Sequence, residues 1–426
     1  MAGANAPPLL LLLLAILLPL MVSSSSSSSS SSSVHRLPPA FSLSSSSPPR
    51  TLRRPSAAST TIAAATAPPS ESDGDDVAVV GCGVLGTSLC RMLLSHPSFS
   101  SRSVVGITRG TSRQNEIRGA VLEQLGVGTD DEEREEDDCA SRGGRFRLLT
   151  MEEATRDGRS GRTYRDVVFC APPSGFDDYP GAIDTAAETL WSGPDGGGSF
   201  AFTSSGVVYG DGSGGVVDEA SPTSPDSESN PRVSRMINAE RNALSRGGCA
   251  IRLAGLYTLE RGAHNYWLER FGTGTGTDKV QGRGDGIVNL LHYDDAAGAV
   301  MAALVAGQGV NSGRTFLISD GSPTSRRGIC ESALVHPRYG GFGMPSFASD
   351  DDDDDGKGKD EGAVGGRSNN ARGKVYDGRW SNDALCWKPT YPSFDEFMTS
   401  SSPFASSLNA AAAAASPPAS SSKSST

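Results

Sequence analysis

The segment DVAVVGCGVLGTSLCRMLLSH, Asp76 to His96, places Gly81, Gly83 and Gly86 as G-x-G-x-x-G between a wholly apolar run and a helical pattern. That spacing suits a dinucleotide. The first glycine permits a tight turn, the second lets the backbone approach a pyrophosphate, and the third allows close packing of helix on strand. The amides around Gly83, Val84 and Leu85 would then meet the pyrophosphate at a helix N-terminus. The next apolar run, Ser103 to Gly110, ends on Thr108 and Arg109, with Arg113 close behind. Sites that prefer NAD place an acid there for the ribose hydroxyls, and this chain has none. A guanidinium grips a 2′-phosphate bidentately, so Thr108 and Arg109 favour NADP, with NAD as the second choice. A further apolar run, Asp166 to Pro173, breaks at Ala171 and Pro172, where a coenzyme ribose would pass.

A second constellation stands in FTSSGVVYGDGSGG, Phe202 to Gly215. An apolar run delivers the pair Ser204 and Ser205 to a glycine-rich loop, with Tyr209 four residues on. Hydroxyls at such a strand end can orient the oxygen of a substrate and cap a turn with equal ease.

Elements that position these groups alternate along the chain. Short apolar runs at Val77–Val80, Ser103–Gly110, Arg145–Leu149, Asp166–Pro173, Ser199–Ser205 and Cys249–Tyr257 read as strands. Helical patterns separate them, among them Asp177–Trp191 and Arg232–Leu244. The alternation predicts an α/β fold, a doubly wound parallel sheet of Rossmann type, with ligands at the carboxyl ends of the strands. The expected organisation is a presequence over 1–72, a nucleotide-binding domain over 76–254, and further sheet elements with a small substrate lobe over 255–398. That lobe would hold an acidic insertion at 350–361, ahead of a low-complexity tail over 399–426.

The order of GCGVLG, DVVFCAPP, FTSSGVVYGDGSG, RLAGLY and NLLHYDDAAGAVMAAL resembles the extended short-chain dehydrogenase/reductases, the NAD-dependent epimerase/dehydratase group. The likeness runs from Asp76 to Met398 and includes a late YPSFDEFM segment. It implies that Ser205 hydrogen-bonds a substrate oxygen beside the nicotinamide. It also implies a Tyr-x-x-x-Lys pair on the following helix, in which the lysine draws the phenol toward neutrality. Counting back from Glu240, the tyrosine place holds Arg232 and the lysine place Met236. The first lysine in the chain is Lys279, so no earlier helix supplies the pair. The resemblance is therefore to an atypical subgroup. Tyr209 and Arg235 are candidate substitutes, Tyr209 as a phenol and Arg235 as a cation for ribose or phosphate. Tyr257 and Tyr266, the latter with Arg270 at i+4, are further phenols. An arginine cannot itself act as the acid at neutral pH. Asp294 or Asp295 is expected to cap the helix AAGAVMAAL, and Arg326 and Arg327 to stand at a solvated helix start.

Composition narrows the partners. Net charge is −11, and the first seventy residues hold four arginines and no acid, leaving the rest more acidic still. That argues against nucleic acid or an anionic membrane as the main partner, while the resemblance implies a small-molecule substrate. Seven widely spaced cysteines without a CxxC pair read as buried free thiols. Leu9–Val22 is an apolar stretch of signal type followed by Ser-rich, acid-free transit-like sequence. The combination is similar to plastid presequences that cross extra membranes, with secretion as the alternative, and it implies no stable membrane span in the mature chain. Two functional readings stand: an NAD(P)-dependent oxidoreductase or epimerase/dehydratase, and a catalytically silent NAD(P)-binding regulatory or assembly protein.

Overall fold

The computed structural model describes residues 76–400 apart from 124, 126–143, 211–212, 225–229, 275–277 and 349–371. The expected presequence, both acidic runs and the tail beyond Ser400 lie outside the described residues.

The chain runs β1 (Val77–Val80), α1 (Val84–Ser95), β2 (Val104–Thr108), α2 (Gln114–Glu123), β3 (Phe146–Thr150), α3 (Met151–Arg159), β4 (Asp166–Phe169), α4 (Tyr179–Thr189) and β5 (Phe200–Ser205). It continues through β6 (Ser213–Val217), α5 (Pro231–Ser245), β7 (Cys249–Leu253), β8 (Gly255–Tyr257), α6 (Ala263–Phe271), β9 (Ile287–Val288), β10 (Leu290–His292) and α7 (Tyr293–Ala306). The remainder is α8 (Gln308–Asn311), β11 (Thr315–Ile318), β12 (Thr324–Ser325), α9 (Arg326–Val335), β13 (Gly373–Tyr376), α10 (Arg379–Ala384) and α11 (Phe394–Ser400).

Seven strands form one sheet in the order β11-β7-β5-β4-β1-β2-β3, with every pairing parallel. The order reverses beside β1, which sets β1 and β4 as neighbours whose following loops diverge. That is the crevice where such sheets take ligands. The sheet has a helical layer on each face, so its central strands must be apolar on both sides. Val77, Ala78, Val79 and Val80 are all at most 2% exposed. One layer packs Val77, Val79, Ala201 and Ile251 against Leu89 and Leu93 of α1 and Val300 of α7. The other packs Ala78, Phe169, Phe200 and Phe202 against Ile183 of α4 and Ala239 of α5. A third cluster, with Tyr257, Leu268, Cys330, Phe347, Phe394 and Met398, makes a smaller lobe from the later elements.

The Rossmann expectation holds, with local corrections. CAIRLAGLY, read as one strand, is two: β7 stays in the main sheet and β8 leaves it to pair with β10. Part of the glycine-rich loop after Tyr209 forms β6, which pairs with the distant β13. α7 is capped by His292, whose Nδ1 accepts the Asp294 N–H at 3.2 Å, and not by an aspartate. Asp294 instead takes Ser88 Oγ and Arg91, while Asp295 accepts the Thr390 and Tyr391 amides. Arg326 and Arg327 are half-buried rather than solvated. Arg326 donates to the Arg283 carbonyl at 3.1 Å, and Arg327 lies over the Phe347 ring. Of the described cysteines only Cys386 is exposed. No helix among the described residues is long and apolar enough to cross a membrane.

Candidate dinucleotide site at the carboxyl ends of the strands

Three glycines do three separate things. Gly81 has φ of +98°, and a Cβ placed on it would stand 2.4 Å from the Ala171 amide nitrogen. Only glycine lets the ends of β1 and β4 meet this closely. A Cβ on Gly86 would stand 2.2 Å from the Gly81 carbonyl oxygen, so helix α1 can seat on the turn only without one. Gly83 is different. Its φ is −77°, within reach of any residue, and an added Cβ would meet nothing within 4 Å. Space, not strain, is what glycine keeps there.

Gly83 is the N-cap of α1, and no side chain caps the first turn. No acid stands in that turn either. The amide dipoles at this end are therefore directed at an open crevice. Val84, 40% exposed, forms its rim, while the Leu85 side chain turns into the core and leaves only its backbone for a ligand. A cleft of about 280 Å³ continues from Gly83 and Val84 past Thr87, Arg113 and Thr258 to His292.

At the β2 end, Arg109 is exposed and reaches across to the loop after β4. A Cβ on Gly175 would fall 2.0 Å from Arg109 Nη2, so the guanidinium rests on that loop. Arg113 is committed to Glu116 through two hydrogen bonds of 3.0 and 2.9 Å. Thr108 serves the turn: its hydroxyl lies 3.0 and 3.2 Å from the Gly110 and Leu149 carbonyls and accepts from Gln114. Ala171 is half-buried against Gly81, with its carbonyl held by Tyr179 Oη at 2.9 Å, and Pro172 is exposed beside it. The open Gly83 cradle and the bare, anion-seeking helix end fit the pyrophosphate of a dinucleotide.

The serine pair divides. Successive strand residues face opposite ways. Ser204 is 5% exposed and donates to Glu240 Oε1 at 2.5 Å. Glu240 also holds Arg252 of β7, with Nη2 to Oε2 at 2.7 Å, and Arg252 lies 4.8 Å above the Tyr209 ring. Ser204 is thus part of a buried tie between β5, α5 and β7 and does not face the crevice. Ser205 is half-buried at the strand end, where its Oγ accepts the Val207 N–H at 3.4 Å and starts a short turn over Gly206–Tyr209. Both expected uses of that hydroxyl, capping and contact with a ligand, are open to it geometrically.

Tyr209 is turned away from acid–base work. Its hydroxyl donates to the Asp218 carbonyl at 2.7 Å, and burial raises its pKa against the partial relief given by Arg252. Arg235 is exposed, off the buried face of α5 made by Val233, Met236 and Ala239. Tyr257 is fully buried among His292, Phe394 and Phe397. Tyr266 sits in the lobe, with Arg270 5.9 Å from its ring. Tyr376 lies against Gly206, a placement for which the lone tyrosine of GKVYD carries no local signal.

No family model and no curated protein matches the chain. Its fold is similar to solved structures. A functionally unknown conserved protein from Silicibacter pomeroyi DSS aligns at 18% identity and TM-score 0.50, over 76% of this chain and 97% of that one. UDP-glucuronic acid 4-epimerase from Bacillus cereus, solved with NAD, aligns at 16% identity and TM-score 0.52, covering 76% and 96%. dTDP-glucose 4,6-dehydratase from Bacillus anthracis str. Ames, also with NAD, aligns at 15% and 0.51, again covering 76% and 96%. This chain therefore has the Rossmann-like fold on which those NAD-bound epimerase and dehydratase enzymes are built.

Proposed function

We propose that this protein is a dinucleotide-binding oxidoreductase of atypical short-chain dehydrogenase/reductase type, with NADP preferred to NAD. The observation that carries the reading is Gly83. It is unstrained and unfilled at the bare N-terminus of α1, directly over the β1–β4 crevice. The NAD held by structural neighbours supports a nicotinamide dinucleotide in this crevice.

In this reading the amides of Val84 and Leu85 bind the pyrophosphate, and Ala171 and Pro172 border the ribose. Arg109 meets a 2′-phosphate in place of the missing acid. A bound nicotinamide coenzyme supplies hydride chemistry at an oxygen-bearing carbon. Ser205 orients that oxygen by a hydrogen bond, exchanging its turn contact with Val207 for the substrate. The buried Ser204–Glu240–Arg252 tie fixes the strand end that carries Ser205, so the hydroxyl need not be positioned anew at each encounter. The composition of residues 1–72 supports a plastid location, which a fluorescent fusion of that segment would test.

The deciding experiment is NADPH fluorescence titration of the purified chain, followed by a screen of carbonyl substrates. Saturable binding with turnover that Ser205→Ala abolishes is the expected result. The loss of Tyr-x-x-x-Lys favours the second reading, a silent NAD(P)-binding regulator. Saturable binding with no turnover of any carbonyl would establish that one instead.

A further inference from the structure

The first turn of α1 is bare, and a buried side chain from a distant strand opens onto the same space. β8 and β10 pair in parallel with Tyr257 opposite His292, so Thr258 follows beside the histidine. Both line the cleft of about 280 Å³ that also takes in Gly83 and Val84. His292 is 6% exposed, and its ring is wedged among aromatic side chains. The Tyr391 centroid lies 4.2 Å away, Phe397 4.9 Å and Tyr257 5.4 Å. Packing this close holds the ring in one orientation.

Its two nitrogens have different company. Nδ1 accepts the Asp294 N–H at 3.2 Å, the contact that caps α7. A neutral imidazole that accepts at Nδ1 carries its proton on Nε2. Burial lowers the pKa of this histidine, against an upward pull from Asp294 and Asp295, so the ring is neutral at neutral pH. Nε2 has no partner among the described residues, yet it is not sealed from solvent as the neighbouring Tyr257 Oη is. Its N–H is therefore a donor left open where the ring meets the cleft. The acids nearby are already engaged. Asp294 takes Ser88 Oγ and, at 2.9 Å, Arg91, while Glu116 takes Arg113. Asp295 accepts the Thr390 and Tyr391 amides. With each lining acid paired to an arginine, the bare helix end and the Nε2–H give the cleft its polarity, and both suit an anion.

We infer that His292 is a coenzyme-binding residue, whose Nε2–H donates to a pyrophosphate oxygen of the dinucleotide seated on α1. The inference rests on the coenzyme reading above and adds a contact from outside the glycine motif. The amides of Val84 and Leu85 hold the pyrophosphate from the sheet, and the imidazole holds it from the β8–β10 pair. One residue thus caps α7 with one nitrogen and binds the ligand with the other.

The test is NMR of the full chain labelled with nitrogen-15 in histidine, with and without saturating NADPH, beside fluorescence titration of two variants. The chain has five histidines, and the signals missing from the variants are those of His292. Long-range proton–nitrogen correlations should show the Nε2–H tautomer in the free protein. NADPH should shift that Nε2 resonance and slow exchange of its proton with water. His292→Asn keeps an acceptor near the Nδ1 position and a good N-cap, and loses the donor. It should melt within a few degrees of wild type and bind NADPH about tenfold more weakly, or worse. His292→Gln keeps an N–H near the Nε2 position and loses the cap. It should melt lower and bind NADPH within about threefold of wild type. A residue that only caps α7 would give the reverse order, with affinity kept in His292→Asn, and that result would overturn the inference. Equal losses in both variants, an Nδ1–H tautomer, or a His292 signal indifferent to NADPH would overturn it too. The tautomer and the shift are read on wild type, so they decide even where a variant folds poorly. If wild type fails to bind NADPH in the fluorescence titration, both this inference and the coenzyme reading fall. If binding is normal and the His292 signal does not move, only this one does.

Discussion

Gly83 and Gly81 are both glycines of one motif, yet they answer to different forces. Gly81 and Gly86 are required by the fold, because a Cβ would strike backbone atoms. Gly83 is required, if at all, by what enters the crevice. Gly83→Val should therefore fold normally, with a melting temperature within a few degrees of wild type. Its NADPH affinity should fall by roughly tenfold or more, about 1.4 kcal/mol, as measured by fluorescence titration. Equal affinity in the variant would remove the dinucleotide assignment. Arg109 is legible at the same scale. Charge-assisted hydrogen bonds contribute about 1.5–3 kcal/mol. Arg109→Ala should weaken NADPH by that amount and leave NADH nearly unchanged, a contrast that a nonspecific loss of structure cannot produce.

Between elements, the connections are few and buried. α5 is held to β5 and β7 by Glu240, whose side chain is 4% exposed and whose partner Arg252 is 7% exposed. Removing one member of such a pair strands the other charge in the interior. Glu240→Ala should cost about 3–5 kcal/mol of stability by urea denaturation. Asp320 ties the end of β11 to β10, its N–H donating to the Leu290 carbonyl at 2.9 Å. Its Oδ1 accepts from Ser322, while Oδ2 is buried without a partner, and burial pushes its pKa up to about 7. The native state therefore binds a proton more tightly than the unfolded chain, whose carboxyl titrates near the ordinary 3.8. Stability from this group is greatest below about pH 4, falls as pH rises toward about 7, and is level above that. Asp320→Asn should lack this decline. Denaturation midpoints taken from pH 4 to pH 8 should show wild type losing ground to the variant by a few kcal/mol over that window.

For the whole molecule, every described element of the sheet and lobe falls within residues 76–400. A protein of those residues alone should match the full chain in melting temperature and in NADPH affinity, because the described sheet and the crevice at Gly83 lie within it. A loss of affinity on removing the first 75 residues would show that the presequence has a part in the site. The sequence alone determined the nucleotide end: VAVV, G-x-G-x-x-G and the helix behind it are neighbours in the chain, and local sterics and burial decide what they become. It determined by elimination, too, that α5 lacks the tyrosine–lysine pair. Only the tertiary structure decided that Ser204 and Ser205 face opposite ways into different company, and that the Tyr209 phenol is occupied. It alone set Tyr376 over Gly206, 170 residues away in the chain. The reason is physical: a contact between the turn after β5 and β13 depends on where a long excursion through the lobe returns, and no periodicity or spacing near either residue encodes that return.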